Sequence, residues 1–110
     1  MMTGEQTPST FAVAHEAEGE ALALRLYGEL DIAAIPRVEA AFQEAIARAP
    51  AQVVIDLAGL TFMDSSGLRF LLRAQARCTT EARELRIRSG AGVERILAVT
   101  RLDEVLPLER

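Results

Sequence analysis

The chain has no lysine and no tryptophan, and only one cysteine and one histidine. Each scarcity closes off a chemistry. A P-loop is excluded, because its lysine must reach the phosphates. The usual cysteine and histidine ligand sets of zinc cannot be assembled from one residue of each type. Cys78 has no second thiol with which to close an internal disulfide. A lone thiol fits a reducing compartment, and the opening MMTGEQTPSTF has neither a basic stretch nor an apolar one, so a cytoplasmic location is expected. No apolar run approaches the ~18 residues of a membrane helix, and no membrane partner is expected. Acids outnumber bases 16 to 12, for a net charge of −4. That balance argues against a nucleic-acid partner, which would call for a basic face.

What remains is ordinary for one soluble globular domain. The chain has 110 residues, half of them hydrophobic and a quarter charged. A domain of that length buries roughly two-thirds of the surface its unfolded chain exposes. Residues 1–10 are polar, carry Thr, Ser, Gly and Pro, and read as a flexible N-terminal tail before a domain over 11–110.

The hydrophobic pattern changes period along the domain. Phe11, Val13 and His15 share one parity, and Leu22, Leu24 and Leu26 share another across a turn at Glu18-Gly19, which predicts a β-hairpin. Over 34–49, Ile35, Val38, Phe42, Ala45, Ile46 and Ala49 recur at helical spacing, with Pro36 suited to a first turn. QVVIDL (52–57) is a continuous apolar run of the kind found in a central parallel strand buried on both faces. A second helix is expected from about Ser66 to Cys78, with Leu68, Leu71, Leu72, Gln75 and Cys78 on its buried face. Phe70 falls away from that face, to pack on a neighbouring helix or to face a partner. ELRIRS (84–89) alternates as a strand, Val93, Ile96, Leu97 and Thr100 begin a third helix, and VLPL is a short final segment.

The order β-β-α-β-α-β-α gives an α/β domain: a mixed sheet with helices packed on it. Loops leaving the carboxyl ends of parallel strands gather at one edge of such a sheet, where ligands and partners bind. GELDIAA (28–34) and GLTFMDSS (59–66) are two such loops. Asp31 should therefore approach the Asp64-Ser65-Ser66 group.

That group has two readings. Asp and Ser are favoured N-caps, each worth about 0.5–2 kcal/mol over Ala. Capping needs one residue, however, and Gly67 in the first turn weakens a helix by roughly 0.5–1 kcal/mol. A small residue there lets another backbone, or a nucleotide-bearing partner, come close. A serine hydrolase fits poorly, because Met63 stands where a nucleophile elbow has its first glycine, and His15 lies on the first strand. SGAGVER (89–95) has Arg95 where a dinucleotide fingerprint has its third glycine, and reads as a tight strand-to-helix turn. The Arg69, Arg73 and Arg77 stripe reads as a solvated helix face whose first member could help dock an acidic partner.

Taken together, VVIDLAGLTFMDSSGLRFLL, the upstream LRLYGELDIAA and the downstream ILAVTRLDEVLPL resemble the STAS domain of bacterial anti-sigma factor antagonists, over about residues 11–108. The resemblance implies a STAS-like single domain and a partner switch. An unmodified antagonist of this kind binds an anti-sigma factor that is itself a serine kinase, and so frees the sigma factor. The kinase phosphorylates one serine of the antagonist, and a serine phosphatase reverses the change. Carried onto this chain, the phosphoacceptor is Ser65, and Asp31, Asp64, Ser66, Gly67, Leu68 and Arg69 lie at or beside the docking edge. No cofactor and no catalytic activity are implied. STAS-like domains also serve as non-switching interaction subunits of transporters or stress-signalling complexes, which is the alternative role. Two departures from the family pattern stand out: Thr100-Arg101-Leu102 lacks the glycine of a common Thr-Gly-Leu, and Thr79 to Glu84 lacks a common Gly-Gly turn.

Overall fold

Leu22, Leu24 and Leu26 all reach the same side of strand β2 (Ala21–Leu30), and all are buried. The computed structural model containing them describes residues 10–109, so the expected tail lies, except for Thr10, outside the described residues. The remaining elements are β1 (Ala12–Glu18), α1 (Ile35–Ala47), β3 (Gln52–Met63), α2 (Ser65–Thr80), β4 (Glu84–Arg88) and α3 (Glu94–Val99). Short 3-10 turns at Ile32–Ala34 and Leu102–Glu104 complete the described chain. The strand order is β1-β2-β3-β4. β1 and β2 form the expected antiparallel hairpin, and β2 with β3 and β3 with β4 pair in parallel. The expected α/β domain with a mixed sheet is thus the observed one.

The core forms on one face of this sheet. Leu22, Leu24, Leu26, Val53, Ile55, Leu57, Leu85 and Ile87 meet Val38, Phe42, Ala45 and Ile46 of α1, Leu68, Phe70, Leu71, Ala74 and Cys78 of α2, and Leu97 of α3. The opposite face has an apolar cluster of Ala21, Ala23 and Val54 with no helical residue in it. The expectation that 52–57 is buried on both faces therefore holds only at Val54. Gln52 and Asp56, on the uncovered side, are half-buried. Around the cluster that face carries ion pairs instead. Arg88 meets Glu18 at 2.5 Å and Glu109 at 2.9 Å, and Arg25 meets Glu16 at 2.8 Å and Glu18 at 3.2 Å.

Two strands run further than their hydrophobic patterns indicate. β2 continues to Leu30 and β3 to Met63, so the first part of each stretch that reads as loop, 28–30 and 59–63, is strand. Register shifts between Arg25 and Tyr27 and between Gly28 and Glu29 interrupt the alternation without ending the ladder. Gly28 makes one of these breaks possible. Its φ is +88°, and a Cβ there would lie 1.6 Å from the Thr10 carbonyl oxygen.

α2 is rotated relative to the expected face. Leu72 is exposed, and Phe70 is buried edge-on against Phe42 of α1, with ring centroids 5.9 Å apart. Phe70 thus packs on a neighbouring helix and does not face a partner. Each of the three α-helices is followed by a non-glycine residue in the left-handed region: Ala49 (φ 53°), Ala82 (φ 57°) and Arg101 (φ 62°). At the end of α2 the N–H of Ala82 donates to Thr79 and that of Arg83 to Cys78, the two bonds of a Schellman stop. The missing glycines at 79–84 and at 101 therefore leave these helix stops in place, with ordinary side chains in a conformation that favours glycine.

Candidate functional site

Parallel pairing of β2 with β3 determines where the site lies. Glu29 pairs with Phe62 and Leu30 with Met63, so Asp31 and Asp64 each stand one residue beyond the last pair. The Asp64 N–H donates to the Leu30 carbonyl at 3.3 Å, and the Thr61 hydroxyl donates to the Gly28 carbonyl at 3.2 Å. The two loops expected to converge do so, at the carboxyl edge of neighbouring strands.

Both aspartates first serve the backbone. Asp31 Oδ1 accepts from the Ala34 N–H at 3.2 Å and caps the 3-10 turn. Asp64 Oδ1 accepts from the N–H groups of Ser66 at 2.8 Å and Gly67 at 3.3 Å, and so caps α2. A carboxylate in this position also faces the positive end of the helix dipole. The cap is therefore Asp64 alone, and both serines lie inside the helix.

The two hydroxyls sit in different surroundings. Ser65 is the first helical residue; it is exposed, and its side chain has no hydrogen-bond partner among the described residues. Ser66 follows it at 9% exposure, the single buried polar residue among those described. Gly67 is buried beneath them. A Cβ there would lie 2.5 Å from Met63 Cγ and 3.1 Å from Leu30 Cδ2. The space this glycine leaves is filled by the chain's own strand-end side chains, not by a visiting backbone. Leu68 is also turned inward, at 7% exposure, and contributes to the core. Of the residues the sequence places at a docking edge, Asp31 and Asp64 are half-buried and Arg69 is exposed, while Ser66, Gly67 and Leu68 support the edge from below.

Two grooves include residues within three positions of Ser65 in the chain. One, of about 350 Å³, is lined by Ile32, Ile35, Pro36, Ser66, Arg69 and Arg73. The other, of about 370 Å³, is lined by Phe62, Met63, Gly92, Arg95, Ile96 and Val99. Ile32 is 71% exposed, Phe62 46% and Val99 72%. The strand edge that leads into Ser65 thus also carries uncovered apolar side chains, a composition suited to protein docking. The sequence reading missed Ile32, Phe62 and Val99. Ile32 could have been found, because it follows Asp31 inside the converging loop. Phe62 and Val99 lie in segments whose surroundings only the packing of α3 defines.

The arginine stripe divides in two. Arg73 Nε donates to Glu39 at 2.9 Å, and Arg77 bonds Gln43 and Glu81. Arg69 has no ion-pair or hydrogen-bond partner among the described residues. His15, the one candidate base, lies on β1, where its Nε2 contacts the Ala41 carbonyl at 3.2 Å and Glu44 at 3.6 Å. Cys78 is buried, and burial pushes its thiol pKa up, away from the reactive thiolate.

Residues 13–108 match the family model described as Mlab, STAS domain. An anti-sigma factor antagonist from Mycobacterium paratuberculosis superposes with a TM-score of 0.82 and 26% identity, over 93% of this chain and 87% of that one. The anti-sigma factor antagonist SpoIIAA in its unphosphorylated form gives 0.73 and 25%, over 89% and 86%. The Bacillus cell fate determinant SpoIIAA in its phosphorylated form gives 0.67 and 23%, over 89% of each chain, a likeness of fold. No curated protein matches the chain by sequence.

Proposed function

The chain belongs to the STAS-domain family, and from that premise we propose that it is an anti-sigma factor antagonist controlled by phosphorylation of Ser65. The observation that carries this reading is the exposed Ser65 side chain at the first turn of α2, without a partner among the described residues, directly after Asp64 at the strand edge that also carries Asp31, Ile32 and Phe62. The similarity to two structures of anti-sigma factor antagonists supports the role. Unmodified, the edge docks an anti-sigma factor that is also a serine kinase, and the sigma factor is freed. Phosphorylated, it releases that partner, and a serine phosphatase restores it. The chain is then a docking partner and a substrate, not an enzyme.

Physical chemistry favours a switch that acts on the interface. Ser65 lies at a helix start, where the dipole favours an anion even though Asp64 already takes the N–H groups of Ser66 and Gly67. SpoIIAA shares this fold in its unphosphorylated and its phosphorylated form. A phosphate adds about −1.5 to −2 charges at pH 7, here beside Asp64 and in a chain already at −4. Each tenfold loss of affinity takes only about 1.4 kcal/mol, so two to four such factors separate a complex.

The test is incubation with a cognate anti-sigma kinase and ATP, followed by mass mapping. Phosphate on Ser65 alone is the expected result, and phosphate only elsewhere overturns the assignment. Ser65→Ala as bait in a pull-down should retain an anti-sigma kinase. Recovery of transporter subunits in its place would favour the non-switching role.

A further inference from the structure

We infer that Arg69 is the counter-ion of phosphorylated Ser65, so that modification of the serine also withdraws a free cation from the docking edge. The inference rests on the proposed phosphoacceptor for its biological meaning, but the pairing itself follows from geometry. Arg69 stands one helical turn beyond Ser65, and residues four apart on a helix are neighbours on one face. Side chains of a helix lean toward its N-terminus, which puts the turn that contains Ser65 and Ser66 within reach of the Arg69 guanidinium. Arg69 and Ser66 line the same groove.

Of the other charges near the edge, Glu29 is exposed on β2 opposite Phe62, and the rest are already committed or lie elsewhere. Arg73 is held by Glu39, and Asp64 and Asp31 have their carboxylates on backbone N–H groups. Arg95 lines the opposite groove from α3. Arg69 is the cation of α2's first two turns that has no partner among the described residues. A guanidinium binds a phosphate through two parallel N–H bonds and is a better match for it than for a single carboxylate oxygen. Without a phosphate, Arg69 is exposed beside Ile32 and free to meet an acidic group on a docking protein. With one, it folds back onto its own helix. The modified edge then differs from the bare one twice, by an added anion and by a subtracted cation.

The experiment places phosphoserine at position 65 of the full chain during translation, so that it does not depend on any kinase. The phosphorus resonance is then titrated through the second ionisation of the phosphate, ordinarily near 6. A paired guanidinium favours the dianion and lowers that pKa. Replacement Arg69→Gln should raise it by about 0.3 unit, the size of an exposed helical ion pair. Arg69→Lys should restore most of the shift, and Arg95→Gln should leave it unchanged. Equal titration in the parent and Arg69→Gln chains would overturn the pairing, as would a shift that follows Arg95. If kinases leave Ser65 unmodified while the titration shows the shift, the proposed switch fails and the pairing stands.

Discussion

The N–H of Asp64 donates to the carbonyl of Leu30, and this bond joins two loops that are far apart in sequence. Leu30 ends β2 directly before Asp31, and Asp64 caps α2 directly before Ser65. The position of the exposed hydroxyl is therefore set by a strand ladder and a helix cap, both rigid, not by a free loop.

Ser65→Glu should fold as well as the parent chain. An exposed first-turn acid is worth about 0.3–1 kcal/mol in a helix, so the melting temperature should hold or rise slightly. Binding to an anti-sigma partner, followed by calorimetry, should fall at least about tenfold, a loss of about 1.4 kcal/mol. Ser65→Ala should match the parent in both measurements. A Ser65→Glu chain that melts early would mean the modification acts by unfolding the domain.

Asp64→Ala should cost about 1–2 kcal/mol in a denaturant titration, because two N–H groups lose their acceptor. Asp64→Asn should recover most of that. Asp31→Ala should cost less, since Asp31 caps a three-residue turn through one bond. Equal losses at the two positions would contradict this ranking.

Ala82→Gly and Arg101→Gly should each stabilise the fold by about 0.5–1 kcal/mol. A left-handed conformation costs an ordinary residue roughly 1–2 kcal/mol, and the greater entropy of unfolded glycine offsets part of the gain. The two sites lie on different helices, so the double variant should show the sum. A fall in the denaturation midpoint of either single variant would remove this account of the helix ends.

Glu18 governs part of the acid response. Its bidentate bond to Arg88 and its contact with Arg25, against a smaller opposing effect of burial, hold its carboxyl at about 2, below the ordinary 4.5. A carboxyl depressed in the folded state contributes stability above its unfolded value and loses that contribution as pH falls toward the folded one. The parent chain should therefore lose stability between pH 4.5 and about 2, and Glu18→Gln should flatten that part of the curve. Denaturation midpoints measured across that range would decide it, and parallel curves for the two chains would exclude Glu18 as a source.

Periodicity was enough to read much of this fold. The leucines of β2, the helical spacing of Val38, Phe42 and Ile46, and the convergence of Asp31 with Asp64 all follow from pattern and topology. The lengths of β2 and β3 did not, because Gly28 and the neighbouring register shifts break the alternation while the backbone bonds continue. The buried face of α2 was also ambiguous. Leu72 and Phe70 are both apolar, and only the ring of Phe42 on another helix decides between them. The division of labour at the site was half legible. Asp or Ser could cap equally well by propensity, and the structure gives the cap to Asp64.

Ser65 and Ser66 are chemically identical neighbours, and in an unfolded chain nothing but their flanking residues would tell them apart. In the folded domain Ser65 is exposed, while Ser66 keeps only 9% exposure at the wall of a groove. Under the proposed switch, this unequal exposure would bias a modifying enzyme that approaches the native chain toward Ser65. Selectivity for Ser65 would then be in part a property of the domain's own folding, and it would be lost wherever the first turn of α2 frays.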